Sequence, residues 1–219
     1  MIPSHVVTKL IPKVSSSYGH GWRQMKKYFL KLLLIFIISI LIGLPADLLQ
    51  PFAESGGINM TGTTIFIIFY GILIINPVDY GLAFASLKAI RNDKLEIIDI
   101  FGAFRNYRNA VLAYLLVGVI VLFGLFLLVI PGIIFSCKLA FTPYLIVDRG
   151  MGVIEAIKES WRMTNGHTWD VFLIGLLGVP IVIAGTIIFL VGIIPAMMWV
   201  STALASFYYA VSSPTEASG

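Results

Sequence analysis

The chain has 219 residues, and its composition excludes an ordinary soluble domain. Hydrophobic residues make up 58% before the 20 glycines are counted, whereas soluble domains reach roughly 45 to 50% with glycine included. Charged residues are only 12%, the net charge is +4 and the mean hydropathy is +0.95. Four stretches hold no charge at all, at 32–46, 55–78, 109–137 and 171–215. Uncharged apolar runs of this length indicate membrane spans.

Six spans can be placed in chain order. Backbone polar groups in a bilayer find no water, so each run of about 20 apolar residues is expected to form a helix. The runs are continuous rather than alternating, which disfavours a β-barrel. The last uncharged stretch is long enough for a hairpin of two helices, with its break at Gly192-Ile-Ile-Pro195. The other four spans are predicted at about 28–49, 63–87, 109–130 and 133–147.

Two of these spans have notable ends. We expect the third span to end at Pro131-Gly132, because proline cannot continue a helix. The fourth is short for a full crossing and contains Lys138 and Pro143.

The sequence therefore predicts an all-α integral membrane protein forming a single domain. A basic N-terminal segment at 1–27 precedes a six-span bundle at 28–211 and a short polar tail at 212–219.

The basic residues predict the orientation, since Lys and Arg near span ends stay on the cytoplasmic side. Six precede or open the first span, five lie between the second and third, and three lie between the fourth and fifth. Of the 15 Lys and Arg, Lys138 alone is left over, so we expect both termini to be cytoplasmic. Pro45-Ala46-Asp47 is a poor cleavage site, so we expect an uncleaved signal anchor.

Two cytoplasmic segments have the pattern of amphipathic interfacial helices. In 151–164, Glu155, Lys158, Glu159 and Arg162 form one stripe, while Val153, Ile154, Ile157 and Trp161 face away. A second such helix is predicted over 94–107. Either helix could simply pack on the span ends, or it could bind anionic lipid at the membrane surface. The candidate lipid-interface residues are Arg105, Lys158, Trp161 and Arg162.

Polar groups at membrane depth are costly and therefore suggest function. Asn76 and Pro77 are predicted to form a hinge that interrupts the second span, because proline removes a backbone donor. Asp79 and Lys138 are candidates for an intramembrane polar pair. Such a pair has two readings: a structural ion pair or snorkelling contact, and a proton or ion relay.

Residue patterns typical of catalysis or cofactor binding are missing. His5, His20 and His167 are not at metal-ligand spacing, and Cys137 is the only cysteine. There is no phosphate-cradling glycine loop, no H-E-x-x-H and no intramembrane Ser-His constellation. We therefore expect no catalytic, cofactor or metal site, no enzymatic activity and no nucleic-acid partner.

Two stretches carry a resemblance to known proteins. They are 77–107, with Pro-Val-Asp-Tyr-Gly-Leu and Asp-Ile-Phe-Gly-Ala-Phe-Arg-Asn-Tyr, and 130–170, with Glu-Ser-Trp-Arg-Met-Thr-Asn-Gly-His-Thr-Trp-Asp. In order and spacing they resemble a bacterial multi-span membrane family of unknown function. That family is related to YciC-like proteins and to the membrane domain of some glycerophosphodiester phosphodiesterases. The resemblance implies a six-helix protein of the bacterial inner membrane without an established activity. The soluble phosphodiesterase barrel of some relatives is not found in this sequence, so we do not expect their catalytic activity.

Two functions fit these observations. The first is a non-enzymatic scaffold or lipid-interacting module whose partners are membrane lipids, with anionic lipids as the sharper expectation. The second is a small transporter or channel that uses the broken second helix, since discontinuous helices form many transport sites.

Overall fold

The computed structural model describes residues 12–54, 60–187 and 192–212. The predicted features at His5, Lys9 and most of the tail at 212–219 lie outside these ranges. Within them the chain is almost wholly helical, and it contains no strand. Six segments are long and apolar enough to cross a membrane, which confirms the predicted fold class.

The helices follow one another closely along the chain. They are α1 (Val14–Lys27), α2 (Phe29–Glu54), α3 (Met60–Tyr70), a π-helical turn (Gly71–Ile75), α4 (Asn76–Arg91), a 3-10 helix (Ile97–Asn106), α5 (Tyr107–Leu127), α6 (Val129–Leu139), α7 (Thr142–Asp148), α8 (Val153–Met163), α9 (Thr168–Ile187) and α10 (Ile193–Ser212). The six candidate spans are Phe29–Pro51, Thr61–Arg91, Ile97–Leu127, Val129–Asp148, Thr168–Ile187 and Ile193–Ser212.

The basic N-terminal segment includes a helix that packs on the bundle. A Cβ at Gly21 of α1 would lie 2.8 Å from the backbone nitrogen of Ala203 in α10. The Trp199 indole donates to the Tyr18 carbonyl at 3.0 Å, and the Tyr18 hydroxyl donates to the Ile174 carbonyl at 2.7 Å. α1 is therefore joined to both α9 and α10.

In the second span a π-helical turn at Gly71–Ile75 interrupts the α-helix directly before Asn76 and Pro77, and α4 then runs on through Pro77. Pro77 has no N–H to donate to the preceding turn, and in that turn the Leu73 carbonyl accepts from the Tyr107 hydroxyl at 3.0 Å. The Asn76 side-chain amide donates to the Gly71 carbonyl at 2.7 Å, within the π-helical turn. These two side chains thus bond carbonyls just before the proline, within the membrane-spanning segment.

The predicted amphipathic α-helix over 94–107 is a 3-10 helix that begins later, at Ile97. It lies against α4, where a Cβ at Gly81 would overlap the Ile100 carbonyl oxygen. Three residues per turn bury Ile100 and Ala103, and they leave Phe101 and Phe104 partly exposed. The absence of a side chain at Gly81 permits this close approach.

The turn after the third span lies earlier than predicted. α5 ends at Leu127, and Leu128 is extended at φ −169° and ψ 153°. Pro131 lies in the first turn of α6, where its missing N–H would have no helical partner. A Cβ at Gly124 would lie 3.0 Å from the Gly132 Cα, so glycine brings the two helices close.

The fourth span has two parts, α6 and α7, and it is 20 residues long. Pro143 lies in the first turn of α7 and accounts for the break. The buried Ser160 hydroxyl of α8 donates to the Lys138 carbonyl at 2.8 Å and accepts from the Phe141 N–H at 3.2 Å. The break thus exposes backbone groups that α8 satisfies.

In the last uncharged stretch, α9 is described as far as Ile187, and a turn at Gly192, the first residue of the predicted break, precedes the start of α10 at Ile193. A Cβ at Gly185 would lie 2.6 Å from the Gly192 carbonyl oxygen, so these two glycines permit a close crossing.

Candidate functional site

Charged side chains gather where the ends of α1, α4 and α7 meet the start of the 3-10 helix, a region called here the basic end. The Lys27 ammonium donates to the Asn92 side-chain oxygen at 2.5 Å. The Lys88 ammonium lies 2.9 Å from both carboxylate oxygens of Asp99. The first contact joins the end of α1 to the residue after α4, and the second joins α4 to the 3-10 helix.

A second ion pair at the basic end joins α4 to α7. The Arg91 guanidinium donates to the two Asp148 oxygens at 2.5 and 2.7 Å. The Tyr208 hydroxyl lies 3.4 Å from the same carboxylate, and Arg91 lies over the Tyr209 ring. The Asp148 side chain is only 9% exposed. Sequence reasoning missed this pair, because its members are 57 residues apart and share no motif.

Beside this ion pair lies a polar cavity of about 490 Å³, within the usual size range of ligand pockets. It opens between the 3-10 helix, the end of α7 and the turn that follows. The residues that matter for its chemistry are Phe84, Arg105, Asn106, Asp148, Arg149 and Gly150. This cavity is called the polar pocket below.

The polar pocket has an excess of positive charge. Both oxygens of Asp148 are engaged by Arg91. Arg149 lies 3.9 Å from Glu159, but Glu159 forms its short hydrogen bonds, at 2.6 and 2.7 Å, with Arg162. Arg105 forms no ion pair or hydrogen bond with any residue in the described ranges. Guanidinium groups bind phosphate or carboxylate in a fork, so the pocket suits an anion.

Three of the four predicted lipid-interface residues lie on α8. Lys158 is exposed. Trp161 is 38% exposed, and the centroid of its ring lies 5.7 Å from that of the Phe135 ring. Arg162 is held by Glu159, and this hydrogen bond lowers the pKa of the Glu159 carboxyl. The fourth residue, Arg105, is the one that lines the polar pocket.

The side of α8 that packs on the protein is neither the charged stripe nor the apolar side named from the sequence. Ala156, Ser160 and Met163 are buried, whereas Ile154 and Trp161 are 55% and 38% exposed. The small Ala156 and Ser160 permit close contact with α6 and α7. An exposed apolar strip therefore lies between the buried side and the charged side of the helix.

The predicted ion pair between Asp79 and Lys138 is not formed. The Lys138 ammonium donates to the Asn165 side-chain oxygen at 2.6 Å and lies over the Trp161 ring. The segment that follows α8 thus supplies a nearer partner than α4 does. Asp79 is exposed on α4, and no residue in the described parts of the chain forms an ion pair or hydrogen bond with its carboxylate.

The fold brings together a serine and a histidine that sequence reasoning did not connect. The Ser206 hydroxyl lies 3.2 Å from His20 Nδ1, and the Gln24 amide lies 3.3 Å from Nε2. Ser206 is 0% exposed between α1 and α10, so a substrate could not reach it. This cluster joins two helices.

In the described residues, no group of three His, Cys, Asp or Glu could hold a metal ion.

Comparison with known proteins gives one similarity. Residues 119–215 match the family described as protein of unknown function (DUF975). The match covers less than half of the chain, from within α5 to beyond the end of α10. No curated protein and no solved structure matches. The similarity agrees with the expected resemblance to an uncharacterised family and names no activity. It includes Arg149 and α8, whereas Arg105 precedes it.

Proposed function

We propose that this multi-pass protein is a non-enzymatic membrane module that binds anionic lipid headgroups at its basic end. The observation that carries the proposal is the polar pocket, where Arg105 and Arg149 stand beside an acid already neutralised by Arg91. Phosphate is the anionic group common to phospholipids, and arginine binds it through several hydrogen bonds at once.

The surface of α8 supports the same function. Its exposed Ile154 and Trp161 lie beside a charged side that includes Lys158. Tryptophan favours the membrane–water interface, and basic residues near the surface are attracted to anionic lipid. We propose that α8 places the polar pocket at the level of the lipid headgroups.

A lipid titration tests the proposal. The purified protein in a neutral detergent is heated with short-chain phosphatidylglycerol or, separately, with zwitterionic phosphatidylcholine of the same chain length. A ligand that binds the folded state raises the melting temperature, so the anionic lipid should stabilise the protein more. Arg105→Gln should abolish that difference. Arg23→Gln, at an exposed arginine of α1, should preserve it. Equal stabilisation by both lipids would contradict the proposal.

The orientation forms part of the proposal: the bacterial inner membrane, with both termini and the basic end in the cytoplasm. The distribution of Lys and Arg supports it. Single cysteines can test it after Cys137→Ser, since no other cysteine is present. Asp47→Cys should react with an impermeant maleimide in spheroplasts, and Lys158→Cys only after permeabilisation. The reverse pattern would contradict the orientation.

The link to the glycerophosphodiester phosphodiesterase membrane domain stays a prediction.

A small transporter is the second candidate, and one observation favours it. Asp79 is an exposed carboxylate on the second candidate span, without a partner in the parts of the chain described here. Ionisable groups within spans often mark ion or proton pathways. Asp79→Asn in reconstituted vesicles should abolish a proton or cation flux that the native protein shows, while Asp47→Asn should leave it intact. Equal flux in native protein and Asp79→Asn would remove this candidate's support.

A further inference from the structure

A second cavity lies on the outer side of α5. It is an apolar groove of about 410 Å³ lined by Leu112, Leu115, Leu116, Val119 and Val153. Leu112 and Val119 are 51% and 62% exposed, so the groove is open along its length. In a membrane-spanning segment, the surroundings of such a groove are lipid chains. This cavity is called the acyl groove below.

The acyl groove begins beside the polar pocket. Gly150 lines the polar pocket and Val153 lines the acyl groove, and their Cα atoms are at most about 11 Å apart across three peptide units. Along α5, the exposed Arg108 lies one helical turn before Leu112. Arg105 precedes that turn. From the end of the 3-10 helix into α5, the cationic Arg105 and Arg108 are therefore followed by the apolar residues of the acyl groove.

This order matches the chemistry of one kind of ligand. A phospholipid has an anionic phosphate at one end and apolar chains that begin a few bonds away. A soluble phosphate compound would use only the polar pocket, and an apolar helix from another protein would use only the groove. Charge complementarity at Arg105 and Arg149 favours an occupant with both parts.

We propose that the polar pocket and the acyl groove form one binding site for a single glycerophospholipid molecule. Its phosphate lies between Arg105 and Arg149, and one acyl chain lies along α5 from Leu112 to Val119. The inference rests on the proposed binding of anionic headgroups. It adds that the protein holds one lipid in a shaped site, in addition to its attraction to an anionic surface.

The test compares two ligands on the detergent-purified full chain. Dioctanoyl phosphatidylglycerol carries both headgroup and chains, whereas glycerol 3-phosphate carries only the headgroup. Affinities are measured by microscale thermophoresis. The native protein should bind the lipid at least tenfold more tightly than glycerol 3-phosphate, because the chain buries apolar surface. Equal affinities for the two ligands would assign the pocket to a soluble phosphate compound and overturn the inference.

A groove-filling variant separates the two parts of the site. Val119→Trp places an indole in the acyl groove and should weaken lipid binding about tenfold or more, with glycerol 3-phosphate binding unchanged. Leu122→Trp is the matched control, because Leu122 is 66% exposed on the same helix and does not line the groove. Should Val119→Trp fail to fold, Leu115→Gln gives the same test with a side chain of similar size.

The outcomes distinguish the inference from the proposed function. Loss of lipid affinity in both Val119→Trp and Arg105→Gln supports the single phospholipid site. Native affinity in Val119→Trp with loss in Arg105→Gln overturns the acyl groove and leaves headgroup binding standing. Native affinity in both variants overturns the proposed function as well.

Discussion

The Arg91 guanidinium holds the Asp148 carboxylate through two parallel hydrogen bonds, at 2.5 and 2.7 Å. The pair ties the end of α4 to the end of α7, which are in different spans. Arg149 follows directly in the chain and lines the polar pocket. Because Asp148 is fixed by Arg91, the backbone that carries Arg149 is fixed as well.

Arg91→Gln should lower the free energy of unfolding by about 3 kcal/mol, because it leaves a mostly buried carboxylate without its cation. Thermal or SDS-induced unfolding of the purified protein measures the loss. Arg23→Gln is the control, since Arg23 is exposed and forms no ion pair within the described ranges. Unchanged unfolding in Arg91→Gln would show that the pair contributes little.

Gly81→Ala should destabilise the protein by about 3 kcal/mol, because the added methyl group would overlap the Ile100 carbonyl oxygen and push the 3-10 helix from α4. Gly118→Ala is the matched control, since nothing lies within 4 Å of its Cβ position. That change should leave stability equal or raise it by about 1 kcal/mol. Similar melting temperatures for the two variants would argue against the close contact at Gly81.

Tyr107→Phe should lower the free energy of unfolding by about 1 kcal/mol, because the Leu73 carbonyl, four residues before Pro77, loses its hydrogen bond from the Tyr107 hydroxyl. Pro77→Ala supplies a backbone N–H four residues after Leu73, at the position of an α-helical donor to that carbonyl. In the Pro77→Ala background, Tyr107→Phe should therefore cost much less. The coupling is read from unfolding of the two single variants and the double variant. Purely additive costs would contradict this role of Tyr107.

Acid should weaken the packing of α1 on α10 through His20. Burial, together with the charge of Arg23, lowers the pKa of His20 below its ordinary value of 6.5. The unfolded chain then binds more protons, so stability falls as the pH drops below about 6.5 and through the lowered pKa. Melting temperature against pH measures the effect. His20→Gln keeps a polar side chain without titrating, so its curve should be flatter, and parallel curves would exclude the mechanism.

The sequence predicted the spans better than the contacts between them. Proline positions indicated helix ends only approximately, since Pro131 lies in the first turn of α6 and Pro77 lies in the first turn of α4, directly after the π-helical turn. Pro131 fits within α6 because an N–H in the first turn has no helical partner. Near Pro77, the hydroxyl of Tyr107, which is distant in sequence, bonds the Leu73 carbonyl. The 3-10 helix was also missed, because its period of three depends on the close approach at Gly81.

For the predicted site residues too, the sequence indicated individual residues but not the contacts between them. Arg105 was recognised as a candidate because it is a cation near a span end, but its neighbour Arg149 across the polar pocket was not. Asp79 and Lys138 were paired because both are charges in apolar runs. Lys138 bonds Asn165 instead, and that choice follows from how α8 packs on α6.

By itself the sequence determined the six apolar segments and which of their ends carry the basic residues. Hydrocarbon imposes these features on each segment separately, through the cost of an unpaired backbone or a buried charge. Only the tertiary structure decided which charges meet, such as Arg91 with Asp148, and where a cavity remains between helices. Such partners depend on the rotation and contact of neighbouring helices. Packing between distant residues sets both, and glycines such as Gly81 permit it.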